Sequence, residues 1–284
     1  MHYRRSLHLA DIHTLAPVAP SQPLSRRQLL GGSLAIGLAG LAGCTPGPGS
    51  DPDRVDATCV ARDQLERRRT IAELPLVYEP TGASQAFWFD AGFAGQLDDW
   101  ATELAQHLGG PVQRLATYGS WIDGRGRCDS WHHSGRAFDL ARVSLTDGRL
   151  VSCRYDQWRT AASPELEASR RAYWALAAGL HLRFADVLTY LYDERHANHI
   201  HFDNGRSGAE LSTFSPQSRV QVQAVQAMVS YLWADPVEIS GRWDFATRAA
   251  SRRVLDRLEI NADLTDAAEA WHGLLRATAS RGVP

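Results

Sequence analysis

The sequence predicts an α+β fold: a small antiparallel sheet with flanking helices, followed by a small C-terminal three-helix domain. Three observations carry that expectation. Phe93, Leu97, Trp100, Leu104 and Leu108 recur at helical spacing. Polar and apolar residues alternate across 136–143 and 199–203, the period of a half-buried strand. Beyond Ser215-Pro216 only helical patterns follow.

The elements follow in chain order. A helix spans 93–108 and stops at Gly109-Gly110-Pro111. Residues 112–118 read as a strand, 124–127 as a Gly-rich loop and 136–143 as a second strand. Thr146-Asp147-Gly148 marks a hairpin turn into 149–153. Ser163-Pro164-Glu165 predicts a helix start, with Ser163 as cap and Pro164 in the first turn, running to about Gly179. Residues 187–192 and 199–203 are short strands, the latter bounded by Asn204-Gly205. Helices over 220–233 and 245–258 are separated by Asp235-Pro236 and Ser240-Gly241. A last helix covers about 263–278.

The N-terminal 43 residues read as a targeting segment. Ser25-Arg26-Arg27-Gln28-Leu29-Leu30 carries an arginine pair, followed by a modestly apolar run. That run is shorter than the roughly 20 apolar residues a membrane-spanning helix needs. It ends at Leu41-Ala42-Gly43-Cys44, similar to a lipobox, so the expectation is a twin-arginine lipoprotein signal over 1–43 with Cys44 lipidated. The chain would then sit on the outer face of the cytoplasmic membrane, in the cell envelope. Residues 44–75 read as a flexible tether, 76–212 as the domain bearing the site, and 215–284 as the helical domain. Of the remaining cysteines, Cys59, Cys128 and Cys153, an exported chain can bridge two. Cys128–Cys153 is the favoured pair, with Cys59–Cys128 left open.

Composition excludes some chemistry. The formal net charge is -2, which gives no footing for bulk nucleic-acid binding. There is no Lys, so Schiff-base and Ser–Lys mechanisms are out.

Five of the 11 histidines fall in two short clusters, Ser130–Asp139 and His196–Asp203. Strand alternation places His199 and His201 on one face, with Ile200 and Phe202 on the other. Ala137 and Asp139 share a face of the earlier strand, while Phe138 and Leu140 bury. If the strands pair, Asp139, His199 and His201 share one floor, and His132 closes over it through a turn at Gly135. Two imidazoles and a carboxylate suit Zn2+ and leave a fourth position open. A remaining imidazole can move a proton.

Ser130 to Asp139 fits S-x-H-x-x-G-x-A-x-D, and His199-Ile200-His201 fits H-x-H. Together they resemble the zinc peptidases grouped with lysostaphin and the D-Ala-D-Ala metallopeptidases. The resemblance implies His132, Asp139 and His201 as zinc ligands and His199 as base. His196 extends the second motif to H-x-x-H-x-H, similar to penicillin-insensitive murein endopeptidases, which implies an assisting role. An upstream Arg facing the oxyanion is also implied, with Arg125 and Arg127 as candidates. Over 112–204 the chain most resembles the extensin-like C-terminal domain family. Residues 222–227 and 241–250 look like the signature stretches of a three-helix peptidoglycan-binding domain.

The implied function is a zinc carboxypeptidase or endopeptidase, a hydrolase acting on peptidoglycan stem peptides, with the helical unit holding the glycan polymer and a lipid anchor in the membrane. The alternative is a zinc-stabilised peptidoglycan-binding lipoprotein without turnover.

Overall fold

The computed structural model describes residues 58–282. The expected signal over 1–43, Cys44, and the tether up to residue 57 lie outside the described residues. From Arg62 onward the chain already carries regular structure, well before residue 76. A short 3-10 turn at Arg62–Gln64 leads into β1 (Glu66–Arg68), β2 (Thr70–Ile71) and β3 (Leu74–Tyr78). Then come β4 (Ala83–Ser84), β5 (Phe87–Phe89), α1 (Ala91–His107) and β6 (Val112–Gly119). β7 (Ala137–Leu145), β8 (Leu150–Ser152), α2 (Tyr155–Trp158), α3 (Glu165–Arg183), β9 (Asp186–Leu188) and β10 (Ile200–Asp203) follow. The C-terminal helices are α4 (Arg219–Leu232), α5 (Phe245–Arg257) and α6 (Ala268–Ala279).

The α+β class holds, but the sheet is neither small nor wholly antiparallel. Eight strands form one sheet in the order β2-β3-β6-β7-β10-β9, with β4 on β3 and β8 on β7. β3 and β6 run parallel. The reason is the connection: a hairpin can only return a strand antiparallel, whereas the long path through β5 and α1 brings β6 back alongside β3 in the same direction.

Asp90 starts α1 by accepting a hydrogen bond from Phe93 N at 2.9 Å. The expected stripe Phe93, Leu97, Trp100, Leu104 and Leu108 is buried against the sheet. At α3 the expected cap is different: Pro164 occupies the cap position and Ser163 Oγ instead donates to Glu167 Oε1 at 2.6 Å. α3 also runs four residues past Gly179, to Arg183. Every residue from Tyr173 to Leu182 is buried, because α3 meets α1, β8 and β9 on one side and α4 and α6 on the other. Helices α4 and α6 thus pack directly on the helix that backs the sheet, and α5 packs on those two. Trp271 Nε1 donates to Ser212 Oγ at 2.8 Å within that contact. Among the described residues no helix is long and apolar enough to cross a membrane.

The disulfide expectation is corrected: Cys59 is bridged to Cys128, and Cys153 is a free, fully buried thiol. Cys153 follows β8 on the same face as buried Val151, so it points into the core rather than towards the exposed loop that carries Cys128.

Candidate metal centre

The register of β7 against β10 places Asp139 directly opposite His201. Their neighbours Phe138, Leu140, Ile200 and Phe202 are all fully buried on the opposite face. This alternation alone turns both polar side chains to the same side of the sheet. His199 precedes β10 in extended backbone and continues the pattern.

His132 arrives from a 3-10 turn, Trp131–Ser134, just before β7. Ser130 Oγ accepts from His132 N at 3.3 Å to start the turn. Gly135 ends it at φ +70, where an added Cβ would also press on Asp90 N at 2.9 Å. The turn is fastened to the end of β10. Arg136 lies over the Trp131 ring at 4.6 Å and donates to Asn204 Oδ1 at 2.8 Å.

Three potential ligand atoms converge from these elements: His132 Nε2, Asp139 Oδ1 and His201 Nδ1. The pairwise separations are 3.1 Å between the imidazoles, 3.2 Å from His132 to Asp139 and 2.9 Å from His201 to Asp139. Tetrahedral zinc ligands, each about 2.0–2.1 Å from the ion, lie about 3.3–3.4 Å from one another. The outer ring nitrogens are already committed. His132 Nδ1 meets the Ser120 carbonyl, and His201 Nε2 meets Asp203 Oδ2 at 3.3 Å. A hydrogen on each outer nitrogen leaves a lone pair on each inner one, so three acceptors face a common point. That donor set fits a divalent cation.

A model described as extensin-like protein C-terminus matches residues 51–212, more than half of the chain. The chain belongs to that family. No curated protein and no solved structure matches it. The expected kinship with lysostaphin and the D-Ala-D-Ala metallopeptidases is corrected by this match, which is to a distinct family. The match stops at 212, so it lends nothing to the expected peptidoglycan-binding-like character of 215–284. The physical reason is that a short ligand motif records what grips a cation, and that pattern recurs on unrelated frameworks.

The electrostatics of this extensin-like site call for positive charge at its centre. Burial works against ionising Asp139, but His132 and His201 outweigh it and hold its carboxyl well below the usual range. Burial likewise opposes a charge on His201, yet hydrogen bonds to Asp139 and Asp203 push it up to about 10. A proton and a cation therefore compete for the same lone pair.

Two further imidazoles border the cluster. His199 Nε2 lies 3.4 Å from Asp139 Oδ1, and its Nδ1 is 2.6 Å from Asn198 Oδ1. Burial lowers His199 to about 4 against the pull of Asp139. His196 Nδ1 is held by Asp193 Oδ1 at 2.6 Å, and its ring centre is 5.2 Å from that of His199. Burial lowers His196 too, opposed by Asp193.

Arg125 and Arg127 are placed elsewhere. Both lie in the exposed 123–129 loop; Arg127 pairs with Asp129 at 3.6 Å and its side chain is 83% exposed. Among the described residues neither guanidinium bonds to a cluster residue. Sequence reasoning missed Asp193, Asp203 and the Ser120 carbonyl. Asp203 had a usable signal, since it lies two residues after His201 on the same strand face. The Ser120 carbonyl had none, because any residue supplies one.

Proposed function

We propose that this extensin-like protein is a zinc-dependent hydrolase that cleaves amide bonds in the peptide stems of peptidoglycan. The observation that carries the reading is the convergence of three acceptor atoms, two of them imidazole nitrogens whose outer ring nitrogens are tied off to Ser120 and Asp203. When bound there, a zinc ion supplies Lewis acidity for a carbonyl and makes water acidic near neutral pH. His132, Asp139 and His201 would hold the ion. His199 Nε2, kept neutral by burial, takes a proton from the attacking water and returns it to the leaving amine. His196, steadied by Asp193, supports His199 from behind.

The substrate class rests on residues 25–44. Twin-arginine export and lipidation at Cys44 would put the domain outside the cytoplasmic membrane, where peptidoglycan is the polymer at hand. The helices after residue 215 would retain the enzyme on that polymer by raising its effective concentration.

The test is a digest of purified muropeptides with the zinc-loaded protein, followed by mass spectrometry. Cleaved stems, lost in His199→Ala with zinc still bound, support the reading. If stems stay intact although zinc is stoichiometric and muropeptides bind, the chain is a binding lipoprotein.

A further inference from the structure

We propose that Tyr118 is a further catalytic residue of this centre, its phenol hydroxyl donating a hydrogen bond to the carbonyl oxygen under attack. The proposal deepens the hydrolase reading and rests on it.

Backbone geometry aims the side chain. β6 pairs with β7 through Thr117 opposite Leu140 and Gly119 opposite Asp139, which leaves Tyr118 as the extra residue of a bulge beside Asp139. Bulges of this kind re-aim a side chain and gather next to active sites. This one is pinned. Thr117 Oγ1 donates to the Asp139 carbonyl at 2.7 Å and accepts from Gly119 N at 2.9 Å. Gly119 has φ +137, a conformation that suits glycine.

The aimed ring reaches the base. The Tyr118 and His199 rings meet edge to face with centres 5.9 Å apart, and His199 Nε2 is 3.4 Å from Asp139 Oδ1. The Tyr118 ring therefore borders the proton carrier, which itself lies beside a candidate ligand.

Arg154 is the leading charge beside the Tyr118 hydroxyl, and because a guanidinium only donates, the phenol hydrogen stays available. Tyr118 is only half-buried, and among the described residues its hydroxyl makes no hydrogen bond. The polar groups beyond it are satisfied by one another. Glu79 accepts from Arg142 at 2.7 Å and from Arg154 at 3.0 Å, and Arg154 also bonds Asp156 at 2.7 Å. Burial keeps the phenol above its ordinary value despite nearby Arg154, so it stays protonated and able to donate. Arg125 and Arg127, the sequence candidates for this role, are turned to solvent. A donor aimed at the place where negative charge develops is among the largest contributions a site can make.

The test uses the zinc-loaded protein and a phosphinate dipeptide, whose tetrahedral anion mimics the carbonyl under attack. Calorimetry is run on wild type, Tyr118→Phe and Tyr118→Gln. The expected result is that Tyr118→Phe binds phosphinate about ten- to a hundredfold more weakly while zinc affinity is unchanged. On muropeptides kcat falls by about a hundredfold and KM moves by less than about threefold. Tyr118→Gln, which keeps a donor, regains part of both and guards against a fold defect in the Phe variant. Wild-type phosphinate affinity and kcat in Tyr118→Phe would overturn the role of Tyr118 and leave the hydrolase reading standing. A wild type that holds zinc yet neither binds phosphinate nor cleaves stems overturns both together.

Discussion

Asp139 and His201 face each other across the β7–β10 ladder, and His201 Nδ1 lies 2.9 Å from Asp139 Oδ1. Two residues 62 positions apart in the chain thus fix one edge of the candidate metal centre without any loop taking part. Asp203, two residues on from His201, holds the opposite nitrogen of the same ring.

This pairing sets the metal prediction. Asp139→Ala should lower zinc affinity by at least about a hundredfold, because it removes a ligand rather than a supporting contact. Asp203→Asn, which only loosens the ring orientation, should cost about ten- to a hundredfold. Competition titration against a chromophoric chelator measures both. Equal affinities in Asp139→Ala and wild type would mean that these three side chains do not hold the ion.

Gly205 supports the turn that delivers His132. A Cβ there would fall 2.1 Å from Trp131 Cε2. Gly205→Ala should cost about 1–3 kcal/mol of stability, since the indole would have to shift from its place under Arg136. Zinc affinity should drop with it, as Trp131 and His132 share one turn. Denaturant melts and a zinc titration on the same variant check the two effects together.

The Cys59–Cys128 bridge closes a loop with a sequence separation of 69. Chain-entropy arguments put its contribution at about 4 kcal/mol. Replacing both cysteines by Ser should lower the unfolding free energy by roughly that amount. Cys153→Ser should leave the bridge intact. Peptide mapping without reductant identifies the linked pair, and a Cys128–Cys153 peptide would contradict the structure.

His181 makes the fold acid-sensitive. It is fully buried in α3, among the described residues neither ring nitrogen has a hydrogen-bond partner, and its ring lies edge-on to Trp271. Burial, aided by Arg206, lowers it from 6.5 to about 3. Below pH 6.5 the unfolded chain therefore binds a proton that the folded chain refuses. Stability is full above 6.5 and falls by about 1.4 kcal/mol per pH unit down towards 3. Between pH 6.5 and 5, metal-free wild type should lose about 2 kcal/mol more than His181→Leu. Urea melts at the two pH values measure the difference, and parallel losses in the two proteins would refute it.

Local periodicity was enough for a good part of this protein. The 3.6-residue stripe from Phe93 to Leu108 predicted α1, and the two-residue alternation around Asp139 and His201 put those side chains on one face. Such patterns are readable because each depends on residues within a few positions of one another, governed by a fixed backbone period. Composition did its share, since a chain without Lys excludes whole classes of chemistry.

Tertiary structure decided what depends on distant segments meeting. Only the crossover through α1 made β3 and β6 parallel, and only the path of the 58–60 segment beside His133 brought Cys59 to Cys128. The bulge that frees Tyr118 arises from how β6 fits β7, not from any residue type at 118. The expected wider kinship also failed, because three ligands at the right spacing specify a chemistry and leave the surrounding framework open. Pairings of that range are set by core packing and chain closure, which leave no short repeat in the sequence to read.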